Sequence, residues 1–335
     1  MIPKRALDID ILRGIAIFTM VFANAAGEIL SHPHPFPLRL YGSFAAPIFL
    51  ALVGFMVAFT ASRKSYGVKH YIYRGLYVLL IAALVDVLIW HTYPFVAFDV
   101  LYVIGLSIPF VYLISKINLI MQILLAVFMF TFSLVFQSLL GYEQFILHIP
   151  LGMPLVSWIE NLPIILKQFL LLGWFPIFPW IGFPVLGASL FNLYKNFSSK
   201  VFIKQFFFLG LVMFIAGLAL WHSFPGPLYT RIGYSELFFP PTSGYLLTSM
   251  GVIVLALIFV HVTQHSSVWY PMLLLGRNSL FVYVLHLAII KYFLDPVFHK
   301  CNLYTFLGVY ITFVILLVGI TMVIPFFQRQ KTRLA

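Results

Sequence analysis

The sequence has few charged residues and almost no cysteine. Of the 335 residues only 9% are charged and Cys301 is the sole cysteine, whereas a soluble globular chain carries roughly 25% charged residues. The single cysteine excludes an internal disulfide framework and a cysteine-rich metal site. A soluble enzyme with so few charges would expose large apolar patches and aggregate. The aromatic residues are scattered and form no repeat.

Apolar residues make up most of what is present. They account for 62% of the chain, which excludes intrinsic disorder because disorder requires low hydrophobicity and many charges. A membrane-crossing helix needs about 20 apolar residues. The ten stretches of suitable length are 9–29, 43–62, 75–93, 97–115, 118–140, 168–193, 205–224, 244–263, 271–293 and 303–327. We therefore predict an all-α, polytopic helical bundle in the membrane, and the short joints indicate a single domain over residues 1–335.

The net charge of +11 indicates how the chain crosses the membrane. The 20 basic residues form no basic stripe, so we expect no nucleic-acid partner. If the N-terminus is cytoplasmic, thirteen Lys and Arg residues fall on the inner side and five on the outer side. Because Lys and Arg collect in cytoplasmic loops, this bias predicts that both termini are cytoplasmic. We expect a multi-pass protein of the cell membrane, surrounded by lipid.

The first predicted span carries polar residues along one face. Asp10 and Arg13 are three residues apart and can pair on a helix. Asn24 follows Arg13 by eleven residues, which is three turns and roughly 16 Å along the axis. A polar face that crosses the membrane indicates a cavity and a functional site. The alternatives are a salt bridge at the membrane edge and an asparagine that only joins two helices.

The second predicted span contains Pro47 and Gly54. A proline can kink a helix, and a glycine allows a neighbouring helix to approach closely. We therefore expect Gly54 to lie at a contact between helices.

The loop after the first span contains two histidines between prolines. The prolines alternate with His32 and His34, which holds the loop extended and stiff. A fixed imidazole that titrates near neutral pH suits a general base. We predict no metal site, because two histidines without a nearby set of carboxylates make a weak one.

Four stretches together resemble a known family. They are Asp10–Asn24 followed by His34, Pro47 and Gly54; Asp99–Gly105; Trp174–Gly187; and Gly276–His286. In this order they are similar to the heparan-alpha-glucosaminide N-acetyltransferase family, in its prokaryotic branch of transmembrane acyltransferases. The resemblance implies transfer of an acetyl group from acetyl-CoA to an amino sugar, or to another amine or hydroxyl acceptor, across the membrane. It also suggests a homodimer.

The resemblance implies roles for particular residues. His34 matches the family's catalytic histidine, as a general base or a transient acyl carrier, and Asn24 matches its paired asparagine. The gap between them is one residue shorter than in the animal enzymes, and His32 is a second candidate for the base. His32 is also a candidate for binding the acceptor, together with Asp86 and Asp99, because a carboxylate can receive an ammonium group.

Further polar residues are candidates for binding acyl-CoA. Ser279, Tyr283 and His286 are spaced four and three residues apart and share one helix face. Arg277 stands at the predicted cytoplasmic start of that helix, and arginine binds phosphate through a bidentate fork. The full set of candidates for acyl-CoA binding is Arg13, Arg277, Asn278, Ser279, Tyr283, His286 and Trp180.

Two other functions remain open on the sequence. Broken helices and buried charges are also typical of a secondary transporter for a small polar solute. The lack of a repeat between the two halves and the few carboxylates inside the spans argue against a transporter. The other alternative is a non-catalytic member of the family that binds lipid or a partner complex.

Overall fold

The computed structural model describes residues 6–140, 146–194, 196–225, 237–239 and 241–334. Within these ranges the chain is helical and has no β-strand. The sixteen α-helices in them are α1 Leu7–Ile29, α2 Phe36–Gly42, α3 Ala45–Arg63, α4 Val68–Val85, α5 Val100–Ile114, α6 Leu119–Leu140, α7 Leu155–Glu160, α8 Leu162–Lys167, α9 Ile177–Trp180, α10 Gly182–Tyr194, α11 Lys200–Ser223, α12 Ser243–Thr263, α13 Tyr270–Arg277, α14 Ser279–Ile289, α15 Asp295–Phe298 and α16 Leu303–Leu334. The π-helical turns Asp86–Trp90, Gln168–Leu172 and Ile290–Leu294 extend α4, α8 and α14.

Most of the predicted spans are confirmed as long apolar helices. In the described part of the chain nine segments are long and apolar enough to cross a membrane. They are Leu7–Ile29, Phe36–Arg63, Val68–Trp90, Leu119–Leu140, Leu162–Tyr194, Lys200–Ser223, Ser243–Thr263, Ser279–Phe298 and Leu303–Val323. The remaining prediction, at 97–115, corresponds to the shorter helix α5. The protein is therefore an all-α polytopic membrane protein.

The predicted sidedness rests on basic residues, several of which the structure does not describe. Lys4, Arg5, Lys195 and Arg231 lie outside the described residues. That both termini face the cytoplasm stays a prediction.

The internal contacts of the chain divide it into two compact units. The first contains the described residues of Met1–Ala46, Arg231–Leu237 and Leu255–Ala335, and the second contains those of Pro47–Thr230 and Phe238–Val254. Helices α1, α2 and α13 to α16 thus belong to the first unit, and α4 to α11 belong to the second. The single domain over 1–335 stays a prediction.

In the first unit, the short helix α13 packs closely against the beginning of α1. A Cβ atom on Gly14 would lie 1.8 Å from the carbonyl oxygen of Met272, and one on Gly276 would lie 1.8 Å from that of Asp10. Glycine at both positions lets the two backbones touch. Because residue numbers rise along one helix as they fall along the other, α13 runs antiparallel to α1.

Helix α14 runs opposite to α13 and therefore in the same direction as α1. Arg13, near the start of α1, contacts Ser279 at the start of α14, and Asn24 contacts His286 further along both helices. The chain therefore turns sharply at Asn278, where φ is −110° and ψ is 26°. The prediction of one continuous span over 271–293 is wrong in its first residues, because the span-length helix begins at Ser279.

In the second unit, α3 and α10 approach each other through glycines. A Cβ atom on Gly54 would lie 1.8 Å from the carbonyl oxygen of Pro184, and one on Gly187 would lie 1.8 Å from that of Ala51. The expectation that Gly54 lies at a contact between helices is confirmed. The order of these pairs shows that α3 and α10 are antiparallel.

We expect Gly54→Ala to lower the thermal unfolding midpoint of the purified protein. The added methyl group has to displace the backbone of Pro184, and overpacking of this kind costs about 1–3 kcal/mol. Gly308→Ala is the matched control, because a Cβ atom there meets nothing within 4 Å and alanine favours a helix by about 1 kcal/mol over glycine. Equal midpoints for the two variants would contradict the packing described here.

Candidate active site

The polar face predicted on α1 meets polar residues of α13 and α14. An N–H of the Arg13 guanidinium donates to the hydroxyl oxygen of Ser279. Eleven residues further along α1, Nδ2 of Asn24 lies 2.9 Å from Nε2 of His286. The two contacts therefore lie roughly 16 Å apart along α1. They form a polar seam between α1 and α14, both in the first unit.

At the beginning of α1, one carboxylate lies beside two guanidinium groups. Oδ1 of Asp10 is 3.6 Å from Nη1 of Arg13, and Oδ2 of Asp10 is 3.7 Å from Nε of Arg277. The predicted pairing of Asp10 with Arg13 is therefore present, and Arg277 comes from the end of α13. Two cations on one anion leave one net positive charge. The Arg277 side chain is 42% exposed, so the cluster can contact an anion from outside.

A second contact of a carboxylate at this end, with a histidine, was not predicted. Nδ1 of His261, in the last turn of α12, lies 2.8 Å from Oδ2 of Asp8. The Asp8 side chain is fully buried, and it also accepts the backbone N–H of Ile9. The sequence signal was available, since Asp8 directly precedes the first predicted span, two residues before Asp10. Its histidine partner, 253 residues away, has no such local signal.

Further along the seam, the partners of His286 define its protonation. His286 is fully buried, and its Nδ1 lies 3.0 Å from the carbonyl oxygen of Val282. A carbonyl oxygen only accepts, so Nδ1 carries the hydrogen and donates it. The amide nitrogen of Asn24 only donates, so Nε2 accepts. The ring of Tyr283 packs edge-on against the imidazole, with the ring centroids 5.5 Å apart.

The two histidines of the loop after α1 differ in burial. His34 is buried and His32 is exposed, and their ring centroids lie 4.4 Å apart. Nε2 of His34 is 3.1 Å from the carbonyl oxygen of Leu30, which places a hydrogen on Nε2 and the lone pair of the neutral ring on Nδ1. Burial holds the pKa of His34 below its usual value, although the hydrogen bond to Leu30 acts in the opposite direction.

Backbone hydrogen bonds tie the beginning of this loop to a distant segment. The N–H of Cys301 donates to the carbonyl oxygen of Ile29 at 2.8 Å, and the N–H of Ser31 donates to that of Cys301 at 2.9 Å. Leu30 and Cys301 thus form an isolated parallel bridge. The carbonyl oxygen of Leu30 also accepts the hydrogen bond from His34. The position of the imidazole therefore depends on Cys301, in the connection between α15 and α16.

A network of charged residues lies at the end of α1 and was also not predicted. Nζ of Lys291 is 3.6 Å from Glu28 and 3.4 Å from Asp295, and Asp295 is 2.8 Å from Nδ1 of His299. Glu28 follows Asn24 by four residues and so shares its face of α1. That spacing is the signal that could have added Glu28 to the candidates.

Three predicted site residues lie in the second unit and have contacts there. The carboxylate of Asp86 is buried and accepts the hydroxyl hydrogen of Tyr102. The side chain of Asp99 caps the first turn of α5 by accepting the N–H of Val100. Both carboxylates thus have structural roles, and their acceptor-binding role stays a prediction.

Trp180, the third of these residues, is fully buried within the second unit. Its ring packs among aromatic side chains, with centroid distances of 4.8 Å to Phe175 and 5.1 Å to Phe238. Within the described chain its indole N–H has no hydrogen-bond partner. A buried donor of this kind costs about 1–3 kcal/mol when left unpaired.

The structure brings together some of the predicted site residues and not others. Arg13, Arg277 and Ser279 meet at the beginning of α1. Asn24 contacts His286, whereas the sequence paired it with His34. Asn278 donates its side-chain N–H to the carbonyl oxygen of Leu274 at 2.9 Å and so satisfies the end of α13. In the described ranges no group of three or more His, Cys, Asp or Glu side chains could hold a metal ion.

We expect His34 to titrate below about 6.5, the ordinary pKa of histidine. The sign follows from burial, which disfavours the charged ring, so His34 is neutral at pH 7 and gains a proton only at lower pH. The measurement is NMR of ¹³C-histidine-labelled protein, with His34→Gln to assign the signal and the exposed His32 as the internal comparison. A midpoint above 6.5 would contradict the described environment.

The comparison with known families identifies the family of this chain. The family model described as "Heparan-alpha-glucosaminide N-acetyltransferase, catalytic" matches residues 5–222. The match includes Asn24 and the loop with His34, whereas α13 and α14 lie beyond it. No curated protein matches the chain. Because the match covers well over half of the chain, this multi-pass membrane protein belongs to the heparan-alpha-glucosaminide N-acetyltransferase catalytic family and is a membrane acyltransferase.

Proposed function

We propose that the protein moves an acetyl group from cytoplasmic acetyl-CoA to an amine or hydroxyl acceptor, foremost an amino sugar, on the extracytoplasmic side. The polar seam along α1 is the observation that carries this proposal. It has a cationic cluster at one end and a neutral, hydrogen-bonded Asn24–His286 pair about 16 Å away. That order suits a donor whose charged end stays at one surface while its acyl end reaches into the membrane.

The cationic cluster fits the phosphate groups of CoA. Guanidinium groups bind phosphate oxygens through paired, charge-assisted hydrogen bonds. Arg13 and Arg277 supply two of them, and Asp10 holds both near one place with one positive charge to spare. Ser279 adds a hydroxyl beside Arg13. Asn278, Tyr283 and His286 belong to the same proposed donor site, and a role of Trp180 in acyl-CoA binding stays a prediction from the sequence.

The chemistry needs a base and a donor for the oxyanion. The acceptor nitrogen or oxygen attacks the thioester carbonyl and forms a tetrahedral oxyanion. When this intermediate collapses, the carbon–sulfur bond breaks and CoA leaves as a thiolate. His34 removes the proton from the attacking atom, and its neutral form at pH 7 suits this role. An N–H of Asn24 stabilises the oxyanion, which is worth roughly 3–4 kcal/mol.

The acceptor is proposed to bind at the outer end of the same path. His32 is the proposed contact there. The acceptor-binding roles of Asp86 and Asp99 stay predictions from the sequence, because a carboxylate can pair with the ammonium group of an amino sugar before that group loses its proton. The cytoplasmic termini follow from the distribution of Lys and Arg. We also propose that the protein lies in the cell membrane and forms a homodimer.

Transfer across the membrane is tested in sealed proteoliposomes. Glucosamine and a panel of other amines and alcohols are enclosed, and ¹⁴C-acetyl-CoA is added outside. We expect acetylated acceptor inside and free CoA outside, identified by mass. Uptake of an external solute without release of CoA would instead support the transporter. If no product forms and acetyl-CoA does not bind, the result supports the non-catalytic alternative.

We expect His34→Ala to lower kcat by roughly 10²–10⁴-fold, because the attacking atom loses its general base. His32→Ala is the comparison variant, since it removes the same side chain from an exposed position of the same loop. As a proposed acceptor contact, His32 should affect the KM for the acceptor and leave kcat close to that of wild type. Binding of acetyl-CoA, measured by calorimetry, should be unchanged in both. Full activity of His34→Ala would overturn the assignment. An acetyl group found on His34 in the absence of acceptor would make it an acyl carrier.

We expect Arg277→Gln to raise the KM for acetyl-CoA by roughly 10–100-fold, since a charged hydrogen bond is worth about 1.5–3 kcal/mol. The KM for acetyl-pantetheine, which lacks the nucleotide and pyrophosphate, should not change. Arg63→Gln is the control, because the Arg63 guanidinium stacks over the ring of Phe59 and is not part of the proposed phosphate site. An equal rise of the KM for acetyl-CoA and for acetyl-pantetheine would show that Arg277 does not bind the phosphate groups.

A further inference from the structure

We propose that His286 is a positioning residue that orients the side-chain amide of Asn24, so that one N–H of this amide faces the oxyanion. The proposal rests on the acyl transfer proposed above and adds a role for His286 in it. Neither ring nitrogen of His286 exchanges a proton with the substrate. Two hydrogen bonds join the three groups concerned, which are the Val282 carbonyl, the His286 imidazole and the Asn24 amide.

The first step concerns which ring nitrogen carries a hydrogen. Nδ1 lies 3.0 Å from the carbonyl oxygen of Val282, one turn earlier on α14. This oxygen can only accept, so Nδ1 is the protonated nitrogen. The neutral ring therefore presents a lone pair, and no hydrogen, at Nε2.

The second step concerns the direction in which the amide of Asn24 points. With Nδ2 at 2.9 Å from Nε2, the amide donates to that lone pair. The reverse orientation would place Oδ1 against Nε2 and require hydrogens on both ring nitrogens. An imidazolium fully buried in a membrane-spanning helix has a large desolvation cost. Burial of His286 thus selects the donating orientation of the amide.

The third step follows from the chemistry of a primary amide. The Asn24 nitrogen carries two hydrogens, and one is bound to Nε2 of His286. The second points away from the imidazole and stays a donor. In the rejected orientation the carbonyl oxygen of the amide would take its place and would repel a developing negative charge. His286 therefore decides whether Asn24 stabilises the oxyanion or opposes it.

The same contacts exclude His286 as the general base. Its lone pair at Nε2 accepts from Asn24, and its hydrogen at Nδ1 is given to Val282. The edge-on ring of Tyr283 further restricts rotation of the imidazole. His34 is the histidine with the base role, and the two histidines have separate tasks.

The proposal predicts different results for two substitutions of His286. The side-chain oxygen of glutamine reaches about as far as Nε2 and accepts the same N–H, so we expect His286→Gln to keep kcat within about tenfold of wild type. His286→Leu has no acceptor, and we expect its kcat to fall roughly 10²-fold or more, as for loss of an oxyanion donor.

A double-mutant cycle with Asn24→Ala separates positioning from a general structural role. If His286 acts through Asn24, His286→Leu should cause no more than about a threefold further loss once Asn24 is absent. Independent, multiplying losses would overturn the proposal. An inactive His286→Gln variant that unfolds at the same temperature as wild type would also overturn the proposal. Glutamine keeps the acceptor for the Asn24 N–H, so the lost activity would show that His286 has another role, such as that of a base.

A spectroscopic measurement keeps this test separate from the test of function. In ¹⁵N-histidine-labelled protein at pH 7, His286 should be neutral with the hydrogen on Nδ1, and Asn24→Ala should shift its Nε2 signal. A signal for the other tautomer or for imidazolium would overturn the proposal even if acetyl transfer is intact. If wild type transfers no acetyl group, the function fails instead, whatever the tautomer.

Discussion

The carboxylate of Asp10 lies within ion-pair distance of two guanidinium groups, and the arrangement of α1, α13 and α14 depends on this contact. Arg13 comes from the same helix, and Arg277 comes from the end of α13. A charge without a partner is costly within the membrane, so Asp10 fixes where α13 ends. The glycines at positions 14 and 276 allow the close approach that this requires. Helix α14 then has to begin beside Arg13.

Local patterns in the sequence predicted much of this arrangement. Hydropathy over about 20 residues located the long helices, since a membrane-spanning helix must be apolar over its whole length. The period of 3.6 residues placed Arg13 and Asn24 on one face of α1. Gly54 was correctly expected at a helix contact, because a glycine in an apolar helix has few other structural uses. Each of these inferences needed only neighbouring residues.

Partners that are distant in the sequence were beyond such patterns. Asn24 and His286 are 262 residues apart, and periodicity showed that each lies on a polar face without showing that the faces meet. The turn at Asn278 was missed for a related reason. Leu273, Leu274 and Leu275 lie just before the apolar run of α14, and hydropathy averaged over about 20 residues does not distinguish a helix that crosses from one that turns back. Glu28 was overlooked because its partner, Lys291, lies on a distant helical segment of the chain.

The hydrogen bonds at two levels of the seam also limit how α1 and α14 can move. Sliding one helix past the other by a single turn, about 5.4 Å, would break the Arg13–Ser279 and Asn24–His286 contacts together. The pair is thus locked in register, unlike the rocking halves of an alternating-access carrier. In the proposed reaction, the flexible arm of the donor therefore moves along the polar seam, while α1 and α14 keep their positions relative to each other.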